Sequence, residues 1–227
     1  MKSIVFVHGS NHGSWCWELL RPLLSAPFAS LDLPGRGMFP RDPTEIRLDD
    51  WVDHVCNAIV RPDLHDVVLV GHSLAGITLP RVVDRIADRI AHQVYIAAIV
   101  PAEGQSVADL VMGGATPPAV LPAPDVETAH ALFCNDMDAR QQKYVTGNLV
   151  PEAGQPFTVP MDLAGLRHPV PRTFVRPLRD QTLPAERLDE IIARLEPVEV
   201  TEVDAGHDLM ISKPAALAPV LNALTRS

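Results

Sequence analysis

Residues 70–76 read VGHSLAG and place a serine, Ser73, among small residues directly after an apolar run. A serine exposed on a sharp turn from a strand into a helix needs strained backbone angles, and bulky neighbours would clash because the helix passes close to the strand. The run DVVLV before it predicts a buried strand, and the residues after it carry apolar side chains at helical spacing. This context favours a nucleophilic serine over one that only turns the chain.

A serine hydroxyl attacks at neutral pH only when a base takes its proton, and a carboxylate usually fixes the tautomer of that base. In a turn of this kind the acid and then the histidine follow in chain order, each on a loop after a later strand. Asp180 follows the run TFVRPLR, and His207 follows VEVTEVDAG. We therefore predict a triad of Ser73, Asp180 and His207, with Glu103 as the alternative acid.

Acyl transfer also needs hydrogen-bond donors for the oxyanion. The backbone N–H of Leu74 is one candidate, and the loop VHGSNHG after the first strand supplies Ser10 as the other. Each such donor typically contributes ~3 kcal/mol of transition-state stabilisation. The spacing of His8 and His12 in this loop suggests a metal site, but the loop is broken by glycine and has no third ligand nearby, so we expect no metal.

The composition excludes several classes of protein. The 227 residues are 47% hydrophobic, which is enough for one sizeable core, and the net charge of −9 argues against a nucleic-acid partner. The N-terminal apolar run is too short for a signal peptide, and no later run approaches the ~18 residues of a membrane span. Cys16, Cys56 and Cys134 form no CxxC pair, which is typical of reduced thiols. We expect a soluble, cytoplasmic protein that acts on a small molecule and has no membrane partner.

Apolar runs alternate with amphipathic stretches at both ends of the chain, which predicts βαβ units and a parallel sheet. The strand candidates are residues 4–7, 29–33, 67–70, 94–99, 173–175 and 198–203. The helix candidates are residues 15–24 with Ser14 as N-cap, 48–60, 74–90, 184–195, and 214–224 with Ser212 as N-cap. Pro80 should kink the third of these helices or shift its start.

We treat residues 1–227 as a single domain with an insertion at about residues 101–168. This segment is rich in proline and glycine, with one weakly helical piece at 128–143, and a connection of this length usually covers a site. We expect a cap over a substrate pocket, and its apolar surface suggests pairing into a homodimer. The candidate substrate-binding residues are Gly9, Trp15, Met112, Leu132, Phe133 and Met137.

Five segments together carry a family resemblance: FVHGSNHGSWCW, LDLPGRG, VGHSLAG, LRDQTLP and DAGHDLMISKP. They resemble the α/β-hydrolase superfamily, and within it the compact branch of plant methylesterases, hydroxynitrile lyases and small bacterial carboxylesterases. The resemblance runs nearly end to end. It implies an α/β fold with a mostly parallel six-stranded sheet in the order 2-1-3-4-5-6, flanked by helices and carrying an inserted cap.

Two positions depart from the lyases of that branch. Those lyases carry a threonine after the histidine of the first loop and a lysine after the catalytic histidine, where this chain has Gly9 and Asp208. The lysine charge would stabilise departing cyanide, and an aspartate cannot do so. The esterases commonly have an apolar residue at the second position, so the role of Asp208 stays open. Ala75 replaces the usual glycine of the turn, a small change that the turn should tolerate.

These observations predict a serine esterase that cleaves a small, partly apolar ester, lactone or thioester through an acyl-enzyme, with no cofactor. Three alternatives stay open. A hydroxynitrile lyase would use the same triad, a cofactor-free dioxygenase would use His207 and Asp180 as a base pair, and a ligand receptor would retain the triad without turnover.

Overall fold

The computed structural model describes residues 2–226, and its centre is a six-stranded parallel sheet. The strands of this sheet, together with a short pair outside it, are β1 (Ile4–Val7), β2 (Phe28–Leu31), β3 (Val67–His72), β4 (Ile90–Ile96), β5 (Val120–Leu121), β6 (Glu152–Ala153), β7 (Arg172–Pro177) and β8 (Glu199–Val203). The sheet runs β2-β1-β3-β4-β7-β8, and each neighbouring pair is parallel. When only these six strands are numbered along the chain, the order is 2-1-3-4-5-6, which the resemblance implied.

Strand β1 shows how the sheet lies between two apolar layers. All four of its residues are buried, and successive side chains point to opposite faces. Val5 and Val7 pack in one cluster with Phe174, whereas Ile4 and Phe6 pack in the other. A fully buried side chain of this size contributes roughly 1.5–3 kcal/mol. The unbroken apolar runs that predicted buried strands therefore also supply the core.

Helices flank the sheet, and α1 has the predicted bounds. They are α1 (Leu48–Val60), α2 (Leu79–Ile86), α3 (Val107–Val111), α4 (Val126–Phe133), α5 (Ala139–Thr146), α6 (Gln155–Thr158), α7 (Ala185–Arg194), α8 (Leu209–Ser212) and α9 (Pro214–Arg226). Buried residues of α1 and α2 pack in the cluster that contains Phe174, and those of α8 and α9 pack in the other. Within residues 2–226, no helix combines the length and the apolar character that crossing a membrane requires.

The predicted helix at residues 15–24 is wrong. The chain forms two short 3₁₀ turns there, Ser14–Trp17 and Arg21–Leu23. Pro22 has no N–H with which to continue an α-helix. Ser14 is not an N-cap either, and its backbone N–H donates to the carboxylate of Asp32 at 2.7 Å.

Pro80 shifts the start of its helix, as predicted. Ser73–Ile77 form a 3₁₀ turn, and α2 begins only at Leu79. Pro80 then lies in the first turn, where its missing N–H would have had no intrahelical partner. The helix ends at Ile86, since β4 already starts at Ile90.

Ser212 does not cap α9. It is the last residue of α8, and its hydroxyl has no hydrogen-bond partner in the described part of the chain. Pro214 is the first residue of α9, a position where proline gives up only an N–H that would be unpaired in any case.

The insertion at residues 101–168 lies between β4 and β7 and contains α3 to α6 and the antiparallel pair of β5 and β6. The single helical piece expected at 128–143 is wrong, because two helices, α4 and α5, occupy that stretch. Each follows an aspartate, Asp125 or Asp138, whose side chain accepts backbone N–H bonds of the first turn. Asp138 therefore caps a second helix that begins within residues 128–143, where one helical piece was predicted.

The three cysteines are separate free thiols. Burial raises the pKa of Cys134 to about 12 and that of Cys16 well above its usual value, so both stay protonated. Both pack as small apolar residues in the same cluster.

Gly76 packs against backbone, and we predict that it tolerates no side chain. A Cβ on Gly76 would overlap the carbonyl oxygen of Ile99, so Gly76→Ala should lower the free energy of unfolding by about 3 kcal/mol, measured by urea unfolding. Gly104→Ala adds the same methyl group to open space at a φ of 75°, where backbone strain of about 1 kcal/mol is the only cost. Equal losses in the two variants would contradict this account.

Candidate active site

Ser73 stands at the carboxyl end of β3 in a left-handed backbone conformation, with a φ of 52°. This conformation costs a non-glycine residue roughly 1–2 kcal/mol and turns the chain sharply out of the strand. The backbone around it comes close: a Cβ on Gly9 would lie 2.7 Å from the Cβ of Ser73, and one on Gly71 would meet the side chain of Leu79 at 2.5 Å. The small residues around Ser73 are therefore required by contact.

Asp180 and His207 come together from the loops after β7 and β8. The Nδ1–H of His207 donates to Oδ2 of Asp180 at 2.8 Å, and each side chain is only 1% exposed. Thr182 donates its backbone N–H and its hydroxyl to the other carboxylate oxygen, at 2.8 and 2.7 Å. Burial on its own would lower the pKa of His207, but Asp180, helped by Asp208, raises it above the usual value. Burial on its own would raise the pKa of Asp180, but His207 and Thr182 outweigh this effect, so the pKa lies below its usual value.

The bond to Asp180 leaves Nε2 of a neutral His207 ring as the nitrogen without a proton. This atom is buried and has no hydrogen-bond partner within residues 2–226. Nε2 of His72, the residue before Ser73, donates to the backbone carbonyl of His207 at 3.2 Å, and the two imidazole rings are 4.7 Å apart. His207 therefore lies against the turn that carries Ser73, with one nitrogen available as a base.

The loop after β1 is held by His8. Its Nδ1–H donates to the carbonyl of Gly9 at 2.9 Å, and its Nε2 accepts the N–H of Leu33 at 3.2 Å. Burial, followed by the charge of Arg36, lowers the pKa of His8 to about 3. The ring is therefore neutral, and each of its nitrogens has the proton state that its partner requires.

This bond orients the peptide between Gly9 and Ser10. The C=O and N–H of a trans peptide point in opposite directions, so a carbonyl held by His8 turns the Ser10 N–H to the other side. Gly9 is also the residue whose backbone approaches Ser73 closely. The N–H groups of Ser10 and Leu74, the two predicted oxyanion donors, are thus each one residue away from this contact.

A buried ion pair ties the loop to the insertion. Glu152 of β6 accepts the N–H of Asn11 at 3.1 Å and pairs with the guanidinium of Arg36, with the two charged side chains 1% and 2% exposed. Nε of Arg36 donates to the carbonyl of His12 at 3.0 Å. Asn11 also exchanges two hydrogen bonds with Val150, at 2.8 and 3.0 Å. The N–H of Asn11 is therefore occupied, and the insertion holds the loop in place.

Asp208, the residue after His207, is fully buried and has partners of its own. Its Oδ2 lies 2.9 Å from Nε2 of His12, and its Oδ1 lies 3.5 Å from Nε2 of His72. Nδ1 of His12 in turn lies 2.7 Å from the carbonyl oxygen of Ser10. A second acid–histidine pair thus stands beside the first.

Aromatic side chains pack against both pairs. Trp15 stacks on His12 with ring centroids 5.1 Å apart and an interplanar angle of 17°. The ring of Phe133 lies 5.1 Å from that of His12 and 5.7 Å from that of His207. Of the predicted substrate-binding residues, Gly9, Trp15 and Phe133 therefore contact the site.

The other predicted substrate-binding residues have no ring contact with His12 or His207 among the described contacts. Leu132 and Met137 pack in the same apolar cluster as Phe133. Met112 follows the last residue of α3, whose buried side chains Val107 and Leu110 belong to the opposite cluster. The structure thus groups Leu132 and Met137 with Phe133 and places Met112 apart from them.

The other acids near the predicted loops have different partners. Glu103 is exposed and accepts the N–H of Leu163 at 2.8 Å within the insertion. Asp204 pairs with Arg179 at the surface, at 2.7 Å. Of these three acids, it is Asp180 that meets His207.

A cavity too narrow to hold a water molecule lies beside Gly9 and Leu74. The rest of its wall combines apolar and polar side chains: Leu33, Trp51, Ala75, His8, Thr78 and Glu152. The hydroxyl of Thr78 is buried and finds no hydrogen-bond partner among the described residues. A separate surface pocket of about 460 Å³ between β2, the loop after it and α1 is lined by none of the predicted catalytic residues.

Sequence reasoning missed several residues that hold this site: His72, Thr182, Arg36 and Glu152. A local signal existed for the first loop, because two histidines that flank Gly9 and Ser10 are placed to bond nearby carbonyls. Glu152 carried no such signal, since it lies in the insertion and meets the loop only through folding.

Residues 4–220 match a family model described as the alpha/beta hydrolase family. The chain belongs to the α/β-hydrolase family. The resemblance predicted from the motifs is thereby confirmed, together with the α/β-hydrolase fold.

Relatives of this α/β-hydrolase include named esterases. A carbendazim hydrolyzing esterase from Nocardioides sp. (strain SG-4G) is 30% identical over 243 residues, which span 99% of this chain and 100% of that protein. A pheophorbidase of Raphanus sativus is 35% identical over 48% of this chain and 44% of its own length. Among solved structures, the methylesterase MES16 from Arabidopsis has a TM-score of 0.83 at 24% identity, with both chains covered completely. An extracellular α/β-hydrolase from a Paenibacillus species has a TM-score of 0.88 at 20% identity, also over both whole chains.

We predict that Glu152→Leu lowers the free energy of unfolding by about 3–5 kcal/mol, because it leaves the Arg36 guanidinium buried without its counter-charge. The matched double variant Arg36→Met with Glu152→Leu removes both charges and should regain at least half of that loss. Urea unfolding of the three proteins measures the difference. A double variant that is as unstable as Glu152→Leu would count against an ion-pair role.

Proposed function

We propose that this protein is a serine esterase of the carboxylesterase type that cleaves a small, partly apolar ester through an acyl-enzyme. The observation that carries the proposal is the buried pair of Asp180 and His207, which contacts the strained, left-handed turn of Ser73 through the bond between His72 and the His207 carbonyl. Strain of this kind persists where the surrounding structure enforces it and is concentrated at functional sites.

In this proposal Ser73 is the nucleophile and His207 the general base. Oγ of Ser73 attacks the ester carbonyl carbon, its proton passes to Nε2 of His207, and the carbonyl electron pair moves onto oxygen. The N–H groups of Ser10 and Leu74 stabilise that oxyanion. When the intermediate collapses, the alcohol leaves with the proton from His207. Water then attacks the acyl-enzyme in the same way and releases the acid.

Asp180 holds the base in the required state. It accepts the Nδ1–H of His207 and so leaves the lone pair on Nε2, which faces the reaction. Its negative charge also stabilises the imidazolium that forms when His207 takes the proton. Thr182, through two bonds to Asp180, keeps the carboxylate ionised and oriented.

The nature of the substrate is supported by the relatives and by the cavity. Relatives named as esterases, one of which aligns along the whole chain, support ester cleavage. The cavity beside Gly9 and Leu74 is too narrow to hold a water molecule in this structure, so a short acyl group would require the smallest opening there. Trp15 and Phe133 offer apolar surface beside the two histidines for the other part of the ester.

The position after His207 argues against cyanide release. Asp208 is a buried carboxylate whose pKa burial alone would raise, but His12, and then His72 and His207, lower it. A negative charge at this place opposes the departure of an anion such as cyanide. Ester cleavage avoids this opposition, because the leaving alcohol takes a proton from His207.

We expect Ser73→Ala to reduce the hydrolysis of p-nitrophenyl acetate at least about 10⁴-fold, because no other hydroxyl replaces the nucleophile. Ser212→Ala is the matched control, since it removes a hydroxyl with no hydrogen-bond partner in the described chain and should leave the rate unchanged. Esters of increasing acyl length should be cleaved progressively more slowly. Hydrolysis that survives in Ser73→Ala would refute the nucleophile.

The pH profile should reflect the shifted pKa of His207. The base works only when it is neutral, so kcat/KM should fall as the pH drops through a pKa that lies above the usual 6.5. Asp180→Asn removes the main cause of the raised pKa, so the acid limb should move to lower pH while kcat falls by about 10⁴-fold. Asp204→Asn changes a surface aspartate of the loop that carries His207 and should alter neither the acid limb nor kcat. An acid limb that stays in place in Asp180→Asn would show that Asp180 is not the partner of the base.

A further inference from the structure

The proposed mechanism leaves a buried charged cluster beside the site without a role. Asp208 and His12 are 0% and 1% exposed, and their side chains meet at 2.9 Å although 196 residues separate them in the chain. Burying such a pair is costly unless its remaining hydrogen-bonding atoms are also satisfied. The other groups that His12 and Asp208 contact show which parts of the site this pair connects.

Both ring nitrogens of His12 face acceptors. Nδ1 lies 2.7 Å from the carbonyl oxygen of Ser10, and a carbonyl can only accept, so Nδ1 carries a proton. Nε2 lies 2.9 Å from Oδ2 of Asp208, and an ionised carboxylate can also only accept. Both contacts are hydrogen bonds at the same time only if His12 has a proton on each nitrogen, as an imidazolium paired with the carboxylate.

The surroundings fit a cation at His12. Trp15 lies parallel to the His12 ring at 5.1 Å, which is the geometry in which a cation is attracted by an aromatic face. The titratable groups that act on Asp208 are His12, His72 and His207, and their combined effect keeps its pKa below the usual value despite burial. The negative charge of Asp208 also raises the pKa of the buried thiols of Cys16 and Cys134.

Asp208 also contacts the turn that carries the nucleophile. His72 is neutral, since burial, followed by His207, lowers its pKa to about 3. Its Nε2–H donates to the carbonyl of His207 at 3.2 Å, and Oδ1 of Asp208, which has no hydrogen-bond partner among the described residues, lies 3.5 Å from the same nitrogen. The carboxylate of Asp208 thus lies in the loop of His207 and contacts both His12, in the loop of Ser10, and His72, the residue before Ser73.

We propose that Asp208 is a positioning residue, which through the His12 imidazolium fixes the Ser10 carbonyl and so sets the oxyanion-binding loop relative to the loop of His207. The effect on rate rests on the proposed esterase function, whereas the proton count on His12 does not. His8 holds the Gly9 carbonyl, and His12 holds the next one along the chain. The two successive carbonyls are therefore fixed by two histidines, of which only His12 uses a counter-ion.

Nuclear magnetic resonance tests the proton count directly. In protein labelled with nitrogen-15 at histidine, at neutral pH, one ring should show two bonded N–H groups, and His12→Asn should remove both signals. In Asp208→Asn the amide can donate to Nε2 of a neutral His12 ring that keeps its Nδ1–H to Ser10, so one N–H should remain. A single N–H on His12 in the unaltered protein would overturn the proposal, whatever the enzymatic activity.

Kinetics tests the positioning role. Asp208→Leu keeps the branching at Cγ, with a larger apolar group, and leaves His12 without an anchor. It should lower kcat for p-nitrophenyl acetate about 100-fold with KM changed by less than about threefold, as expected when oxyanion donors are misplaced. Asp208→Asn keeps the hydrogen bonds and should recover most of that kcat. Equal losses in the two variants, or no loss in Asp208→Leu, would overturn the positioning role.

His12→Asn and the thermal melting of each variant complete the test. His12→Asn should reproduce the kcat loss of Asp208→Leu, and the loss in the double variant should not exceed that of either single one, because the two residues act as one unit. If the variants melt below the assay temperature, the signals of His12 in the unaltered protein still decide the proposal. Hydrolysis that persists in Ser73→Ala would refute the proposed function alone and leave the resonance result standing.

Discussion

The left-handed backbone of Ser73 is the constraint on which the rest of the site depends. It costs the chain free energy, so the turn persists only because the packing around it allows no other path. The absence of a side chain at Gly71 leaves room for the side chain of Leu79, and its absence at Gly76 leaves room for the backbone after β4. Gly9 brings the first loop against the serine itself. The same contacts that create the strain therefore also bring Ser73 and the loop after β1 together at the carboxyl end of the sheet.

Around this turn, adjacent residues in one loop serve two different tasks. His207 pairs with Asp180, and Asp208 pairs with His12, so one short segment joins the loop of Asp180 to the loop after β1. Both pairs are buried, where the low dielectric strengthens a well-formed hydrogen bond and penalises an unpaired charge. Each pair thus orients its histidine ring, and Glu152 holds the loop after β1 through Asn11 and Arg36.

The sequence predicted best where local chemistry decides the outcome. Helix α1 was delimited by its apolar spacing, and the effect of Pro80 followed from its missing N–H. The order of Ser73, Asp180 and His207 along the chain led to residues that the fold brings to one end of the sheet, with the latter two in contact. The helix prediction for residues 15–24 is wrong because the apolar spacing is that of a helix, whereas Pro22 and tertiary packing favour two short turns.

By itself the sequence determined the alternation of strands and helices, the sharp turn at Ser73 and the candidate pair of Asp180 and His207, because spacing and turn chemistry act between near neighbours. Only the tertiary structure decided the partners of the buried polar groups. His12 resembles a weak metal ligand and Asp208 an unexplained departure, yet their side chains meet across 196 residues. A buried charge takes whichever partner the fold brings within hydrogen-bond distance, and no local pattern records that choice.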